Sequence, residues 1–370
     1  MTSEFPRRPP ALLFGVPIDD LTMQEAVATV AELVADGRRH SRTHQIATVN
    51  VDFLVNALAD EAVRRLLQNA DMCLADGAPI VWGARAGRMS VRERIAGADL
   101  LPALAEQASS RGWRIHLFGS SAGTAERAAE LLNARYPDAA ITGDSGPMIH
   151  DVTRVDEDLV TSLAAPGADI LCVALGNPKQ ERFIEAYRRR LRTPVMIGVG
   201  GTLDFIVGGR RRAPVWVQRA GLEWLVRAAQ EPGRLGKRYA HDAVVYFPHL
   251  VRYLRTLRTY QHVGDSLHFE LSNQRVIVTA AHGPPRDGAD WNAAAGAIAA
   301  GAPATFDLSN AGTLSVLALR EVAGLVREAQ KSGAAVDVTG LSPAVTWQAD
   351  RIGLRAYLVE VETDRGGNRR

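Results

Sequence analysis

The 370-residue sequence predicts an α/β protein, with a largely parallel sheet that carries helices on both faces and a small second α/β domain after it. Three observations predict this fold class. Short apolar runs alternate with amphipathic helical patterns from residue 11 to residue 204. Several of these runs end in Gly, Asn or Asp, which favour turns. The composition changes near Val263, where a second alternation of strands and helices begins, so we place the domains at residues 1–262 and 263–370.

The first domain begins with an apolar strand, ALLFGVPI at 11–18, and a helix capped by Asp19 or Asp20. The elements predicted next are a strand at 46–51, a helix at 54–67, a strand at 72–75, a helix at 78–85, a helix from Asp99, a strand at 115–118 with its helix, a strand at 140–142, a helix at 154–165, a strand at 169–174, a helix at 180–192 and a strand at 195–199. Past Asp204 the strand pattern stops, and residues 214–239 are predicted to be helical and basic.

The second domain begins with a predicted strand pair at 268–281. The elements that follow are an Ala-rich helix to Ala300, a strand at 305–309, a helix at 314–333, a strand at 334–340, a helix at 342–352 and a last strand from Leu354. FDLS, the long helix, VDVTG and IGL resemble a STAS domain. The loop SNAGTLSV lacks the Asp-Ser pair of a STAS phosphoacceptor loop, which puts phosphorylation in doubt at Ser309, Thr313 or Ser315. We expect this STAS-like domain to dock a protein partner.

The composition is ordinary for a globular chain and excludes some classes of function. The formal net charge is +2, so the chain as a whole does not fit a nucleic-acid binder, although Arg is enriched at 210–258. The two cysteines, Cys73 and Cys172, lie in apolar runs and are predicted to be buried thiols. The sequence shows neither a signal peptide nor a run of about 18 apolar residues, so we expect a cytoplasmic protein.

The strand at 115–118 leads into Gly119-Ser120-Ser121, and Gly123 lies near the start of the next helix. Small residues there let backbone N–H groups approach a phosphate at a helix N-terminus. The pattern is not a full GxGxxG, and no acidic residue about 20 positions later marks a ribose. The loop is therefore either a nucleotide-binding loop or a plain tight turn. The incomplete pattern also weakens the alternative hypothesis that the protein is a nicotinamide-dependent oxidoreductase on a Rossmann-like sheet.

Polar residues at predicted strand ends are candidates for a site, because open α/β sheets bind ligands at the carboxyl ends of their strands. Asp76 stands where a strand stops, and it can act as a general base or cap the following helix. Thr48 and Asn50 alternate along one strand and can face the same side, towards a substrate or in contact with backbone. Asp204, at another strand end, either positions a ligand or caps a turn.

Six stretches resemble the WecG/TagA/CpsF family of bacterial glycosyltransferases (glycosyltransferase family 26). They are IATVNVDFLVNAL at 46–58, ADMCLADGAPIVWGAR at 70–85, RERIAGADLLPAL at 92–104, LGNPKQERF at 175–183, IGVGGTLDF at 197–205 and RAPVWVQRAGLEWLVRAAQEPGRLGKRY at 212–239. The resemblance implies an inverting transfer of a sugar, of N-acetylmannosamine type or a relative, from a UDP-sugar to a polyprenyl-diphosphate-linked saccharide. The product would enter a cell-surface polysaccharide such as a capsule, an exopolysaccharide or a teichoic-acid-like polymer.

The resemblance also implies catalytic residues. It makes Asp76 the base and Gln180 an active-site residue, whereas Lys179 and Glu181 fit a solvated helix start equally well. Arg94 matches the family's Arg before the AGxD segment. It would bind the diphosphate or the sugar, with a surface salt bridge as the alternative.

The resemblance further implies how substrates are bound. Thr48 and Asn50 match a TxN motif that lines the substrate pocket, and the resemblance favours nucleotide binding by the loop at Gly119 and Ser120. The basic appendage at 210–260 would neutralise the diphosphate, because Arg suits bidentate phosphate contacts. The residues of this sequence that match the family's arginines are Arg227, Arg234, Lys237 and Arg238. The alternative is that they belong to a basic surface helix with no role in binding.

We expect no metal and no cofactor. The string Asp156-Glu157-Asp158 matches a metal-binding DxD, but it lies at a predicted helix start, where acidic residues are favoured by the helix dipole. The resembled family is not known for a DxD site. Its members can self-associate, which makes a homo-oligomer an expectation.

Residues 243–260 combine apolar side chains with Arg252, Arg255 and Arg258. This pattern fits a helix on the anionic inner face of the plasma membrane, or one packed on the rest of the protein, and Pro248 is expected to break or kink it. One alternative function remains besides the oxidoreductase, a non-catalytic scaffold or regulator that acts through the STAS-like tail.

Overall fold

The computed structural model describes residues 6–208, 236–260, 264–281, 289–355 and 358. Two compact units are formed, each from separate parts of the chain. The larger unit comprises Leu21–Val81 and Arg92–Val244, and the smaller comprises Met1–Asp20, Trp82–Val91 and Val245–Arg370, so far as these are described. The domain boundary after residue 262 stays a prediction.

The strands of the described chain are β1 (Ala11–Leu13), β2 (Val16–Ile18), β3 (His44–Val49), β4 (Met72–Ala75), β5 (Arg114–Gly119), β6 (Ala140–Asp144), β7 (Ile170–Ala174), β8 (Val195–Gly198), β9 (Ser266–Ser272), β10 (Arg275–Ala281), β11 (Ala304–Leu308) and β12 (Val336–Leu341). Its helices are α1 (Met23–His40), α2 (Val51–Ala59), α3 (Glu61–Gln68), α4 (Ala78–Ala86), α5 (Gly97–Arg111), α6 (Thr124–Arg135), α7 (Glu157–Ala164), α8 (Lys179–Leu191), α9 (Thr202–Ile206), α10 (Lys237–Tyr260), α11 (Ala289–Ala299), α12 (Val316–Ser332) and α13 (Pro343–Ile352).

A six-stranded parallel sheet in the order β4-β3-β8-β7-β5-β6 forms the centre of the larger unit. Side chains alternate between its two faces, as in every strand. In β7, Ile170 and Cys172 belong to the core shared with α1, α5 and α6, whereas Leu171 and Val173 belong to the core shared with α7 and α8. The predicted parallel sheet with helices on both faces is confirmed, and so is the burial of both cysteine thiols.

The structure corrects the prediction most clearly for three helices. The helix expected at 54–67 is two helices, because Asp60 is extended and accepts a hydrogen bond from the Ala62 backbone N at 2.8 Å, which starts α3 anew. The cap of α1 is Thr22, which forms a reciprocal capping box with Glu25, so the prediction of Asp19 or Asp20 was wrong. The helix predicted at 154–165 covers only Glu157–Ala164, with its acidic residues in the first turn as expected.

The smaller unit contains a mixed sheet in the order β12-β11-β10-β9. β9 and β10 are the predicted strand pair and run antiparallel, whereas β10, β11 and β12 are parallel neighbours. A second α/β region with its own sheet is therefore confirmed, and its likeness to a STAS domain stays a prediction. At the residues that the structure describes after α13, the strand expected from Leu354 is wrong. Gly353 ends α13 at φ +80°, and Arg355 is already helical.

The first predicted strand is instead a hairpin of β1 and β2. Its turn residues, Phe14 and Gly15, have φ of +53° and +80°, and turns of this hand match the twist of two-residue hairpins. The Tyr253 hydroxyl on α10 donates to the Leu12 carbonyl at 3.0 Å, and the ring centroids of Phe14 and Tyr253 lie 5.1 Å apart. One face of α10 therefore packs on the hairpin.

α10 runs from residue 237 to residue 260, so the expectation of a break at Pro248 is wrong, whereas the alternative of a kink there stays a prediction. Proline removes a single helical N–H bond at its own position, and the packed face supports the helix on either side. The buried residues of this face are Tyr246, Leu250, Tyr253, Leu257 and Tyr260.

His44, at the start of β3, is predicted to make the stability of the larger unit depend on pH. Its imidazole is buried, with Nε2 2.9 Å from Asp36 Oδ2 and Nδ1 3.0 Å from Asp71 Oδ1. Burial alone would lower the pKa of His44, but the two carboxylates, Asp71 first, outweigh burial and raise it. The resulting stability is present below the unfolded pKa of about 6.5 and is lost as pH rises through the folded pKa.

We therefore expect the free energy of unfolding of wild type to fall above pH 6.5 more steeply than that of His44→Gln, by about 1.4 kcal/mol for each unit by which folding raises the pKa. Urea unfolding at several pH values measures this difference. His40→Gln is the control, because the His40 side chain is 58% exposed although it also contacts Asp36. Parallel pH curves for wild type and His44→Gln would contradict the prediction.

Candidate active site

Asn50 and Asp76 follow neighbouring parallel strands, β3 and β4, and lie at the same edge of the sheet. The Asp76 backbone N donates to the Val49 carbonyl at 2.8 Å, which ties the two strand ends together. Gly77 has φ +150°, a conformation that residues with a side chain rarely adopt, so the glycine lets the chain leave β4 and begin α4. The half-buried Asp76 carboxyl therefore stands at the carboxyl edge of the sheet.

Arg94 reaches the same edge through a backbone contact. The Ile95 N donates to the Ala75 carbonyl at 2.9 Å, which places the segment before α5 beside the end of β4. Arg94 Nη2 lies 3.3 Å from Asp99 Oδ2, and the two side chains are 23% and 32% exposed. The salt-bridge alternative for Arg94 is thus observed, and it holds the guanidinium next to the first turn of α5 beside the Asp76 strand.

Thr48 is buried, and its hydroxyl donates to the Gly198 carbonyl at 2.9 Å. It therefore bonds backbone, the alternative to facing a substrate, and joins the ends of β3 and β8. Gly97, the first residue of α5, packs against the same place, because a Cβ there would lie 2.7 Å from Thr202 Oγ1 and 3.7 Å from Thr48 Cγ2. Only a residue without a side chain lets the start of α5 approach these strand ends so closely.

The two polar atoms of the Asn50 side-chain amide differ in their contacts. Its Oδ1 accepts from the Phe53 backbone N at 3.3 Å and caps α2. Its Nδ2 has no partner among the described residues, and the residue is half-buried. The amide N–H groups of Asn50 are therefore available to a ligand at this edge.

The loops after β5 and β8 meet at a hydrogen bond between two of the predicted binding residues. Ser120 Oγ donates to Asp204 Oδ1 at 3.0 Å, and the Ser120 backbone N donates to the Ala174 carbonyl at 2.9 Å. Gly119 and Ser120 have φ of +94° and +73°, so the chain turns sharply out of the sheet here. The turn interpretation and the binding interpretation of this loop are compatible, because the turn brings Ser120 to Asp204.

Gln180 is buried, and both ends of its carboxamide are bonded. Its Oε1 accepts from the Gly200 backbone N at 2.9 Å, and its Nε2 donates to Glu181 Oε1 at 2.8 Å. The solvated helix start expected for Lys179 and Glu181 holds for Lys179 alone. Glu181 is 1% exposed, so that expectation was wrong for it.

Glu181, Asp52 and Asn177 form a polar group that the sequence analysis missed. Asn177 Nδ2 donates to Asp52 Oδ2 at 3.1 Å, while Asn177 Oδ1 and Glu181 Oε2 are buried with no hydrogen-bond partner in the described chain. Burial raises the pKa of Glu181 to about 8, the bond from Gln180 opposes this, and the charge of Asp52 adds to it. The available signal was the position of Glu181 directly beside the candidate Gln180.

The basic appendage is described in part. Arg227 and Arg234 lie outside the described residues. Arg238 is exposed on α10, and its charge acts on the buried carboxyl of Asp242. The pKa of Asp242 is nevertheless raised, first by burial and then by the charge of Asp52, which places the first turns of α10 near the group around Glu181. Within the described ranges, no three His, Cys, Asp or Glu side chains are grouped so that they could hold a metal ion.

The sequence model of the family described as "Glycosyl transferase WecG/TagA/CpsF family" matches residues 11–260. An N-acetylglucosaminyldiphosphoundecaprenol N-acetyl-beta-D-mannosaminyltransferase of Bacillus subtilis (strain 168) is 33% identical over 189 residues, which is 51% of this chain and 72% of the relative. A protein of the same name from Staphylococcus aureus (strain MW2) is 27% identical over 225 residues, 61% of this chain and 86% of the relative. The match covers β1 to α10, including every strand that carries a candidate residue, and the chain is therefore a member of the WecG/TagA/CpsF family of glycosyltransferases.

Proposed function

We propose that this enzyme transfers a sugar of N-acetylmannosamine type from a UDP-sugar to a polyprenyl-diphosphate-linked saccharide during synthesis of a cell-surface polysaccharide. The observation that carries the proposal is the convergence of Asn50, Asp76 and Arg94 at one sheet edge, in a family whose named relatives use a diphosphoundecaprenol acceptor. An acid, an amide and a guanidinium at one edge are the groups that a sugar transfer needs.

The chemistry is a single displacement with inversion. The acceptor hydroxyl oxygen attacks the anomeric carbon of the donor, the bond from that carbon to the diphosphate oxygen breaks, and UDP leaves with the electron pair. Asp76 takes the hydroxyl proton, which makes the attacking oxygen more nucleophilic. Arg94, with Arg227, Arg234 and Arg238, stabilises the charge that develops on the diphosphate.

Binding is divided between the two halves of the edge. Asn50 donates its free amide hydrogens to a sugar oxygen, and the Ser120–Asp204 pair with Gly119 contacts the nucleotide. Thr48 and Gln180 support the site indirectly, because both are buried. Thr48 bonds the end of β8, and Gln180 bonds the loop after it. No metal is required in this scheme, because the arginines carry the neutralising charge.

The test is transfer from a panel of UDP-sugars to a synthetic lipid-diphosphate-N-acetylglucosamine, with and without EDTA. We expect one UDP-N-acetylhexosamine to be used preferentially, with a rate that EDTA leaves unchanged. Loss of transfer in EDTA that is restored by a divalent ion would refute the metal-free scheme. Failure to bind or use any UDP-sugar would refute the donor.

We further propose that the enzyme works at the inner membrane surface through α10. Among the described residues, no helix is long and apolar enough to span a membrane. The side of α10 that is not packed on the hairpin exposes Phe247 and Val251, which are 44% and 49% accessible, together with Arg252, Arg255 and Arg258. Apolar side chains within a basic row suit an interface with anionic lipid.

Charge reversal at Arg255 and Arg258 is expected to release the enzyme from vesicles that contain anionic phosphatidylglycerol. Each basic residue contributes about 1 kcal/mol near such a surface, so the double variant should bind at least ~30-fold more weakly. Co-sedimentation with vesicles measures this. The matched control reverses Arg127 and Arg189, exposed residues of α6 and α8. Equal binding by both double variants would argue against α10 as the membrane-binding element.

A further inference from the structure

The orientation of the Gln180 carboxamide is fixed from two sides. The Gly200 N–H can only donate, so it requires the carboxamide oxygen, and Glu181 Oε1 accepts from the carboxamide nitrogen. A flip of the amide would set its N–H groups against the Gly200 N–H. Because Gln180 is 1% exposed, water is not available to repair such a mismatch.

The end of β8 is shaped around this pair. A Cβ on Gly198 would lie 2.4 Å from Gln180 Nε2 and 2.6 Å from Glu181 Oε1, so the strand backbone runs directly against both side chains. The same residue accepts the hydroxyl of Thr48. Two residues later, Gly200 adopts φ +52° and donates to Gln180. The chain then enters α9, which carries Asp204.

We propose that Glu181 is a positioning residue: it fixes the carboxamide of Gln180, which holds the Gly200 N–H and so sets the loop that carries Asp204 to Ser120. The proposal rests on the proposed function, because Asp204 and Ser120 belong to the donor side of that site. Glu181 touches no substrate in this scheme. It acts through one side chain and one backbone bond.

Glu181 performs this task as a neutral acid. It lies fully inside the larger unit beside Asp52, and its Oε2 has no partner in the described chain, so an ionised carboxylate would be uncompensated there. With a pKa of about 8, the group carries a proton at neutral pH. Since Oε1 accepts from Gln180, the proton resides on Oε2.

The surrounding charges define when this state is lost. The charge of Asp52 on α2 acts on Glu181, and it also acts on Asp242 on α10. Arg182, on α8 itself, pairs with Asp60 before α3, and Arg190 pairs with Glu157 on α7, both at exposed positions. β7 and β8 present no charged side chain to α8. As pH rises through about 8, Glu181 becomes a buried anion under the influence of the Asp52 charge, and we expect the loop to lose its support.

The test compares Glu181→Gln, which imitates the neutral acid and keeps an acceptor oxygen, with Glu181→Ala, which removes it. Hydrogen–deuterium exchange of peptides covering residues 196–204 reports on the Gly200 amide without requiring activity. We expect exchange to rise about tenfold in Glu181→Ala and to stay unchanged in Glu181→Gln at pH 7. The KM for the UDP-sugar should rise about tenfold in the Ala variant, with kcat changing less.

A pH series separates positioning from general destabilisation. After correction for the intrinsic exchange rate, wild type should lose protection and donor affinity above pH 8, whereas Glu181→Gln should not. If Glu181→Ala does not fold, Gly198→Ala replaces it. Its added Cβ presses on the same pair without altering Glu181, and its backbone is not in the left-handed region.

The outcomes distinguish this role from the proposed function. Wild-type enzyme that uses no UDP-sugar while its exchange follows the predicted pattern would overturn the proposed function alone. Unchanged exchange in Glu181→Ala and in Gly198→Ala would overturn the positioning role, as would a Glu181→Gln variant that behaves like Glu181→Ala. Altered exchange with unaltered donor KM would also overturn it.

Discussion

Replacing Asp76 with Asn is expected to slow sugar transfer severely while leaving the fold and donor binding intact. The two side chains have the same shape, so the end of β4 and the turn at Gly77 should be preserved. The amide cannot accept the proton of the acceptor hydroxyl. General-base catalysis contributes about 10²–10⁴-fold, so kcat should fall by roughly a thousandfold while the KM for the UDP-sugar changes little.

Steady-state kinetics with the lipid-linked acceptor measure this effect, and thermal unfolding confirms that the variant is folded. Asp158→Asn is the matched control, because Asp158 is an exposed acid in the first turn of α7, away from the strand ends that carry the candidate residues. Its kinetics should match wild type. An Asp76→Asn enzyme that retains more than about a tenth of wild-type kcat would show that another group takes the proton.

The position of Asp76 illustrates what the sequence could predict. A short apolar strand that ends in Asp-Gly predicts a turn at a sheet edge. In a parallel sheet the carboxyl ends of the strands all lie at the same edge. The structure confirms the sheet, and it joins the ends of β3, β4, β5 and β8 as the alternation predicts. These features depend on local patterns, which a single sequence contains.

The state of each polar side chain at that edge was less predictable, because it depends on distant neighbours. Thr48 bonds Gly198, 150 residues away, and Ser120 bonds Asp204, 84 residues away. Glu181 stands in a polar sequence that is typical of an exposed helix start. Its burial is seen only in the fold, where the β8 backbone at Gly198 runs against its side chain. The family resemblance supplied candidate roles, but it did not indicate which side chains are covered.

The prediction for Asp19, at the end of the N-terminal segment, was wrong for a similar reason. Asp19 was predicted as a helix cap because it precedes an amphipathic run, which is the ordinary place for such a residue. Thr22 takes that role, with Glu25 as its reciprocal partner. Asp19 pairs instead with Arg327, on α12 of the smaller unit, 308 residues later in the chain. The capping box that begins three residues later, at Thr22, was the sequence signal that could have excluded Asp19 as the helix cap.

Removing one partner of the ion pair between Asp19 and Arg327 is expected to destabilise the smaller unit strongly. Both Asp19 oxygens accept from the guanidinium, at 3.0 Å each, and the side chains are 17% and 3% exposed. The N-terminal segment contacts α12 again where Arg320 donates to the carbonyls of Pro9 and Pro10. Asp19→Ala removes the carboxylate that compensates the buried guanidinium, so unfolding should become easier by about 3–5 kcal/mol.

Replacing both partners should be far less harmful than replacing one, because the damage comes from a buried charge that has lost its compensation. We expect Asp19→Ala with Arg327→Met to recover most of the stability that Asp19→Ala loses. Calorimetric unfolding of the two single variants and the double variant gives the coupling energy. The exposed pair of Arg355 and Asp350, with side chains 61% and 40% accessible, is the control, and Asp350→Ala should cost less than about 1 kcal/mol. Equal losses from Asp19→Ala and Asp350→Ala would mean that α12 does not depend on the N-terminal segment, whereas the expected difference would make residues 6–20 a structural part of the C-terminal region.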